Sequence, residues 1–505
     1  MDGLTREEFG ENLSGHGPSV KKTGVPLTDK PVDHLRLAHG SCATENLSEC
    51  LIKRSGVTRI GSQFSRRQME GRTCWLRLLT MLRIVAFLFV SLSAGLVLGA
   101  EPTWFKGNTH THSLWSDGND LPEMISIWYR DRGYDFLAMS DHNLLARGEK
   151  WLSEEVIEKR KGTLGKKVLD KYRARFGDAW VQTRLSDAGK LEVRLRPLEE
   201  YRKQVEKPGE FLLVEAEEIS AGFGKVPIHI NAINVQEAIQ PLKDVTSIRE
   251  VMRKNLQLVA EQSIKTGRPM IAHINHPNFQ WALTAEDLAH VIEDRYFEVF
   301  NGHPRTFTLG DEKRATSHTE KMWDVANTIR LSELKAPILF GIASDDSHQY
   351  HGGDVSPGRG WVMVRADQLE ADSLTRAMIK GDFYCSSGVT LSDVRFDPRE
   401  RKLTLQIQGE PGVKYRTQFF GTLKGYDRAV KEVPADAKDG SPVRLEYSAD
   451  VGKVLASSDS LTPEYSFTGD ELFVRATVTS TKPHENPVWP GQTRQAWTQP
   501  VVWER

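Results

Sequence analysis

The sequence predicts an α/β protein followed by a smaller all-β region, and three observations predict it. From about residue 101 to 392, short apolar runs rich in β-formers alternate with segments of helical period. Five of these runs are closed by clusters of histidine and carboxylate residues. From about Asp393 the apolar period shifts to 2 and turn residues recur. Alternation of the first kind argues for a parallel sheet or barrel, with chemistry gathered where strands end.

At 505 residues the chain exceeds one ordinary domain. A net charge of −1, from 67 basic and 68 acidic side chains, excludes a globally basic nucleic-acid binder. A hydrophobic content of 39% supports a large core. Only 4 Cys exclude a disulfide-dense scaffold and a zinc site built mainly on thiolates.

Residues 1–80 show no sustained period and hold three of the four cysteines, Cys42, Cys50 and Cys74. Residues 81–100 follow with Met81, a basic Arg83, an apolar run and a small Gly99-Ala100 end, the layout of a secretory signal peptide. Two readings stand. Either translation starts at Met81 and 1–80 is a doubtful extension, or 81–100 is an uncleaved membrane anchor of marginal length. In both the bulk of the chain is expected to be exported, to the periplasm or beyond, or held at the membrane through 81–100 alone. Cleavage would leave Cys385 as the one cysteine, unable to form an intrachain disulfide.

Within 101–392 the strand-like runs are Phe136–Met139, Phe211–Val214, Met270–Ala272, Tyr296–Phe300, Pro337–Ile342 and Trp361–Val364. Leu121–Arg132 carries Met124, Ile125 and Trp128 at helical spacing. Ser247–Thr266 has a Ser cap and stops before Gly267, and Thr284 with Asp287 makes a capping start. The charged stretch 144–209 reads as a helical insertion on the catalytic face, either a solvated decoration or a lid.

After the first strand come His110 and His112, whose i, i+2 spacing on a strand points both imidazoles to one face. Asp117 follows on a turn where Gly118 permits an unusual backbone angle. Asp141-His142, Glu217-Glu218, His229, His273 with His276, and Asp346-x-His348 close the later runs. Imidazole with carboxylate suits zinc, iron or manganese.

The motifs His110-x-His112 with Asp117-Gly118, Asp141-His142, Glu218-Ile-Ser, His276-Pro277 and Asp346-x-His348 resemble, in order, those of the PHP superfamily, named for polymerase and histidinol phosphatase. Gly341–His348, Pro357–Trp361 and Gly381–Gly388 look like an exported bacterial subgroup of metal-dependent phosphoesterases. The resemblance implies a distorted (β/α)7 barrel holding two or three divalent metals per chain, zinc, manganese or iron, at its C-terminal face. His110, His112, Glu218 and Asp346 would serve one shared cluster. Asp117, His142 and His348 would complete a second metal, and Glu218 would bridge to a third held by His229 and His276. His-Pro spelling favours His276 over His273, and Glu-Ile-Ser favours Glu218 over Glu217.

Clustered divalent metals acidify a bound water and neutralise charge on a phosphoryl oxygen. The expected reaction is therefore attack of a metal-activated hydroxide on a phosphate ester, with a small phosphorylated substrate as partner. Asp141 or His273 would position groups or shuttle protons. Arg359 would bind a substrate anion or hold a structural turn, and Asn301-Gly302-His303 would line the pocket or form a turn. No Walker loop or Gly-x-Ser-x-Gly elbow occurs, which argues against nucleotide phosphoryl transfer and serine hydrolysis.

Residues 393–505 alternate in Lys402–Gln408 and Leu472–Thr479 between turns such as Glu410-Pro-Gly412, as in a small β-sandwich. Trp489, Trp497 and Trp503 are either stacking platforms or packing residues. Two further functional readings remain: a non-catalytic binding protein whose β region grips a glycan or protein, and a nuclease, which would favour a basic groove.

Overall fold

The computed structural model describes residues 102–160, 162, 167–433 and 444–503; the extension 1–80 and the segment 81–100 lie outside the described residues. Among the described residues no helix is long and apolar enough to cross a membrane.

The first half contributes β1 (Thr103–Asn108), β2 (Phe136–Met139), β3 (Lys150–Ser153), β4 (Thr183–Leu185), β5 (Leu191–Leu195), β6 (Leu212–Phe223) and β7 (Val226–Ile233). It continues through β8 (Ile271–Ile274), β9 (Tyr296–Asn301), β10 (Phe340–Ser344), β11 (Trp361–Ala366) and β12 (Phe383–Ser386). Strands alone follow among the described residues: β13 (Leu391–Asp397), β14 (Lys402–Ile407), β15 (Tyr415–Leu423), β16 (Val430–Val433), β17 (Arg444–Tyr447), β18 (Lys453–Ser458), β19 (Glu464–Ser466), β20 (Glu471–Pro483) and β21 (Thr493–Thr498).

One 13-stranded sheet runs β10-β9-β8-β7-β6-β2-β1-β11-β12-β21-β20-β15-β18. The β1–β2, β2–β6, β8–β9 and β9–β10 pairs are parallel, but β7 is antiparallel to both neighbours. The sheet is therefore mixed rather than wholly parallel. The cause is local: β6 reaches β7 through Gly224 and Lys225, with Gly224 at φ 61°, and a two-residue link can only reverse the chain. The seven strands from β10 to β1 meet again beyond their ends. His112 N donates to Ser347 O, and Asp346 N donates to His110 O, both at 3.0 Å. The two histidine-bearing loops are thus laced together at the strand ends.

The helices form where sequence signals place them. Ser247 Oγ accepts from Glu250 N at the start of the Ile248–Thr266 helix, which ends on Gly267 in the left-handed region. Its Val251, Leu256 and Val259 are buried in the main core with Ile271, Phe297 and Trp323. Thr284 and Asp287 form a reciprocal capping box.

Two expectations change. The insertion 144–209 is not helical throughout; β3, β5 and β4 form a three-stranded sheet beside helices at Glu154–Glu158, Lys167–Phe176 and Leu198–Val205. Leu191-Glu-Val-Arg-Leu195 alternates, with Val193 and Leu195 buried, and that period 2 was submerged in the charge of its surroundings. The expected break near Asp393 does not interrupt the sheet, because β12 pairs directly with β21. Trp497 of β21 is 2% exposed and stacks on Phe300 of β9 with centroids 5.5 Å apart, so it packs the junction and cannot serve as a stacking platform. Trp489 also faces Phe300, at 6.0 Å, while Trp503 carries Arg401 over its ring.

Candidate metal centre

His110 and His112 stand just past β1 and turn the same way, as period-2 backbone requires. Their Nε2 atoms are 3.1 Å apart. Asp346 Oδ1 lies 3.2 Å from His110 Nε2 and 3.3 Å from His112 Nε2. Glu218 of β6 brings Oε1 to 3.4 Å from His110 Nε2 and Oε2 to 3.4 Å from His112 Nε2. An ion bound tetrahedrally at about 2.0–2.2 Å separates its ligand atoms by about 3.3–3.6 Å, close to this pattern.

Asp117 Oδ2 lies 3.5 Å from His142 Nε2 and 3.4 Å from His348 Nε2, the second expected set. Around Glu218 the arrangement is more shared than expected. His229 Nδ1 is 3.0 Å from Oε1, His142 Nδ1 is 2.7 Å from Oε2, and His276 Nε2 is 3.5 Å from Oε1. His276 also groups with His110 and Asp346. Burial is graded across the cluster: the side chains of His110 and His112 are fully buried, whereas Asp117 is 47% exposed. The centre opens to solvent at Asp117.

The donor set fits divalent cations. Glu218 Oε2 is buried and faces imidazole nitrogens, His142 Nδ1 at 2.7 Å and His112 Nε2 at 3.4 Å. Three buried carboxylates, Glu218, Glu298 and Asp346, crowd His110. Burial alone would lower the His110 pKa, but these charges hold it well above the ordinary histidine value. Two of the residues in the cluster, His276 at φ 24° and Asp346 at φ 49°, sit in the left-handed region, a strain of the sort that functional sites retain.

Glu298 escaped the sequence reading. It is the one charge inside the apolar run Tyr296–Phe300, and that interruption was the available signal. Its Oε1 lies 2.7 Å from His110 Nδ1 and its Oε2 accepts from His276 N and Asn301 Nδ2. Burial would raise its carboxyl, but His110 holds it down at about 2. A carboxylate behind a ligand histidine fixes its ring and its tautomer.

Alternation settles the Glu pair: Glu217 turns away, accepting from Ile239 N at 2.6 Å, and Glu218 faces the cluster. Asn301 Nδ2 donates to Asp346 Oδ2, and the His303 ring is 5.7 Å from that of His348, so this turn lines the centre.

Other expectations are corrected. Gly118 is needed for space rather than for its backbone angle, since a Cβ there would come within 2.4 Å of His112 O. Asp141 is occupied by Ser113 and Ser116, whose backbone N–H and hydroxyl groups all donate to it, so it positions the His112–Asp117 turn and is not free to shuttle protons. His273 is buried with neither ring nitrogen hydrogen-bonded, and burial lowers its pKa to about 4, so it stays neutral with no partner to relay a proton. Arg359 cannot grip a substrate anion, because its guanidinium is buried and donates to Gly302 O, Asp354 O and Asn486 Oδ1. Asp345 accepts from Gly358, Arg359 and Gly360 N, closing this loop as a structural turn.

No family model matches the chain, and no curated protein does. Among solved structures, the chain is similar to a two-domain protein from Bacteroides vulgatus containing a predicted PHP-like metal-dependent phosphoesterase. The TM-score is 0.33 at 14% identity, over 79% of this chain and 95% of that one. A second, from Bifidobacterium adolescentis, is named as a metal-dependent phosphoesterase by prediction; it aligns at TM-score 0.26 and 13% identity, over 50% of this chain and 91% of that one. The functional reading rests on the ligand geometry and not on these likenesses.

Proposed function

We propose that the chain is a metal-dependent phosphoesterase of the PHP type, acting on a small phosphorylated substrate. The observation that carries this is the convergence of Glu218 and Asp346 on His110 and His112: each carboxylate comes within 3.2–3.4 Å of both Nε2 atoms, which are themselves 3.1 Å apart. Asp117, His142 and His348 stand on the solvent side, and His229 and His276 on the other flank of Glu218. The seven strands from β10 to β1, laced at their ends, support reading the scaffold as a distorted (β/α)7 barrel, with the later strands as an appended β region.

These residues would hold two or three ions of zinc, manganese or iron. Such ions supply Lewis-acid neutralisation of phosphoryl charge and a water acidified towards neutrality. The chain's own residues do the rest. Glu298 orients His110, Asp141 fixes the turn that presents Asp117, and Asn301 holds Asp346. The export of the enzyme is inferred from residues 81–100 alone.

The test is hydrolysis of a panel of phosphomonoesters and phosphodiesters by full-length protein reconstituted with each metal. Turnover of at least one ester, abolished by chelation, is the expected result. Metal-loaded protein inert towards the whole panel would refute the reading.

A further inference from the structure

The insertion between the second and third ligand motifs presents two cations to the open edge of the centre. Arg160 follows the Glu154–Glu158 helix, and its Nη2 donates to Ser116 O at 2.6 Å, one residue before Asp117. Lys150 of β3 donates through Nζ to Trp115 O. The two grip adjacent carbonyls of the turn that carries Asp117, where the centre meets solvent.

Several other cations of the insertion are paired with carboxylates. Lys171 pairs with Asp120, Lys190 with Glu155, and Arg194 and Arg196 with Glu200. Among the described residues Lys150 and Arg160 make no ion pair, and Arg160 Nε is buried without a hydrogen-bond partner. Burial lowers the Lys150 pKa, and the Arg160 charge lowers it further against the opposing pull of Asp141. Lys150 and Arg160 hold adjacent carbonyls and repel each other, Asp141 only partly opposing this at Lys150, and a bound anion would relieve the repulsion. Arg supplies donors that match a carboxylate or phosphate.

We propose that Arg160, backed by Lys150, forms an anion site that receives a second ionised group of the substrate, carboxylate or phosphate, while the scissile phosphoryl group lies at the metal centre. This rests on the phosphoesterase reading and narrows it to substrates with two separated anionic groups. The insertion is then a specificity element.

The test compares a matched pair on the metal-loaded full chain: glycerol 3-phosphate and 3-phosphoglycerate, which differ by a carboxylate. The kcat/KM ratio should favour 3-phosphoglycerate roughly 10–100-fold, the yield of one charge-assisted hydrogen bond. In Arg160→Gln the ratio should fall to near 1, and Arg160→Lys should restore part of it. A wild-type ratio near 1, or an Arg160→Gln variant that loses activity on both esters with the ratio intact, overturns the proposal and leaves Arg160 as a prop for Ser116. If neither ester is hydrolysed, calorimetric binding separates the two readings. Binding of 3-phosphoglycerate that Arg160→Gln abolishes keeps the anion site while phosphoesterase activity fails; no binding to the wild type, or binding unaffected by the substitution, overturns the site.

Discussion

Two clusters of buried charge in this molecule behave oppositely. Where the helix Thr319–Ile329 meets β20, Arg475 donates to both oxygens of Asp324 at 2.7 and 2.8 Å, to Glu320 at 2.8 Å and to Thr477 at 2.9 Å. Cation, anions and hydrogen bonds close on themselves. Around His110 only the far side closes: Glu298 lies 2.7 Å behind Nδ1, while on the Nε2 side His110, His112, Glu218 and Asp346 bring ligand-type atoms to 3.1–3.4 Å of one another's imidazoles. The first arrangement is complete as protein. The second turns several ligand-type atoms towards one another, an arrangement that bound cations would complete.

The difference can be broken from either side. The largest effect is expected from His112→Ala, which removes a residue that belongs to two ligand groupings. Phosphoesterase activity should fall by at least about 10³-fold, together with bound metal by elemental analysis, in a protein that still melts cooperatively. Retained metal and activity would break the account of the centre. Arg475→Met should instead strip Asp324 and Glu320 of their partner and cost about 3–5 kcal/mol in urea unfolding. Metal bound per folded chain should stay the same, which distinguishes glue from site.

A smaller effect is expected from Glu298→Gln, which removes charge behind His110 without touching a metal. Metal affinity by competition with a chelator should drop roughly 10–100-fold. An unchanged affinity would demote Glu298 to packing.

The smallest effect concerns acids in neither cluster. Burial raises Glu123 and Asp294 to about 7. Their folded-state pKa lies above the unfolded value near 4, so the folded state binds more protons between about pH 4 and 7, and stability falls as pH rises through that window. Metal-free protein should melt higher at pH 5.5 than at pH 8, and Glu123→Gln should flatten the trend. A melting temperature that rises with pH in Glu123→Gln and wild type alike would contradict this account.

The ligand types and their order were legible because each sits in a short motif at a strand end, where periodicity and chemistry coincide. Helix caps at Ser247 and Thr284 were legible for the same local reason. What stayed hidden depends on distance in space. Glu298 reads as one acid in an apolar strand until His110 comes round from 188 residues away. Arg359 reads as an anion binder until Gly302, Asp354 and Asn486 are seen to take its donors. The parallel sheet expected from the alternation of strands and helices is interrupted by β7, whose two-residue link to β6 makes it antiparallel.

The most direct test of the central claim is anomalous diffraction at the metal edge from crystals grown with zinc or manganese. The account predicts a peak within about 2.0–2.2 Å of His110 Nε2, His112 Nε2, Asp346 and Glu218, with one or two more beside Asp117 and His229. An empty map at these positions in metal-saturated crystals would contradict it.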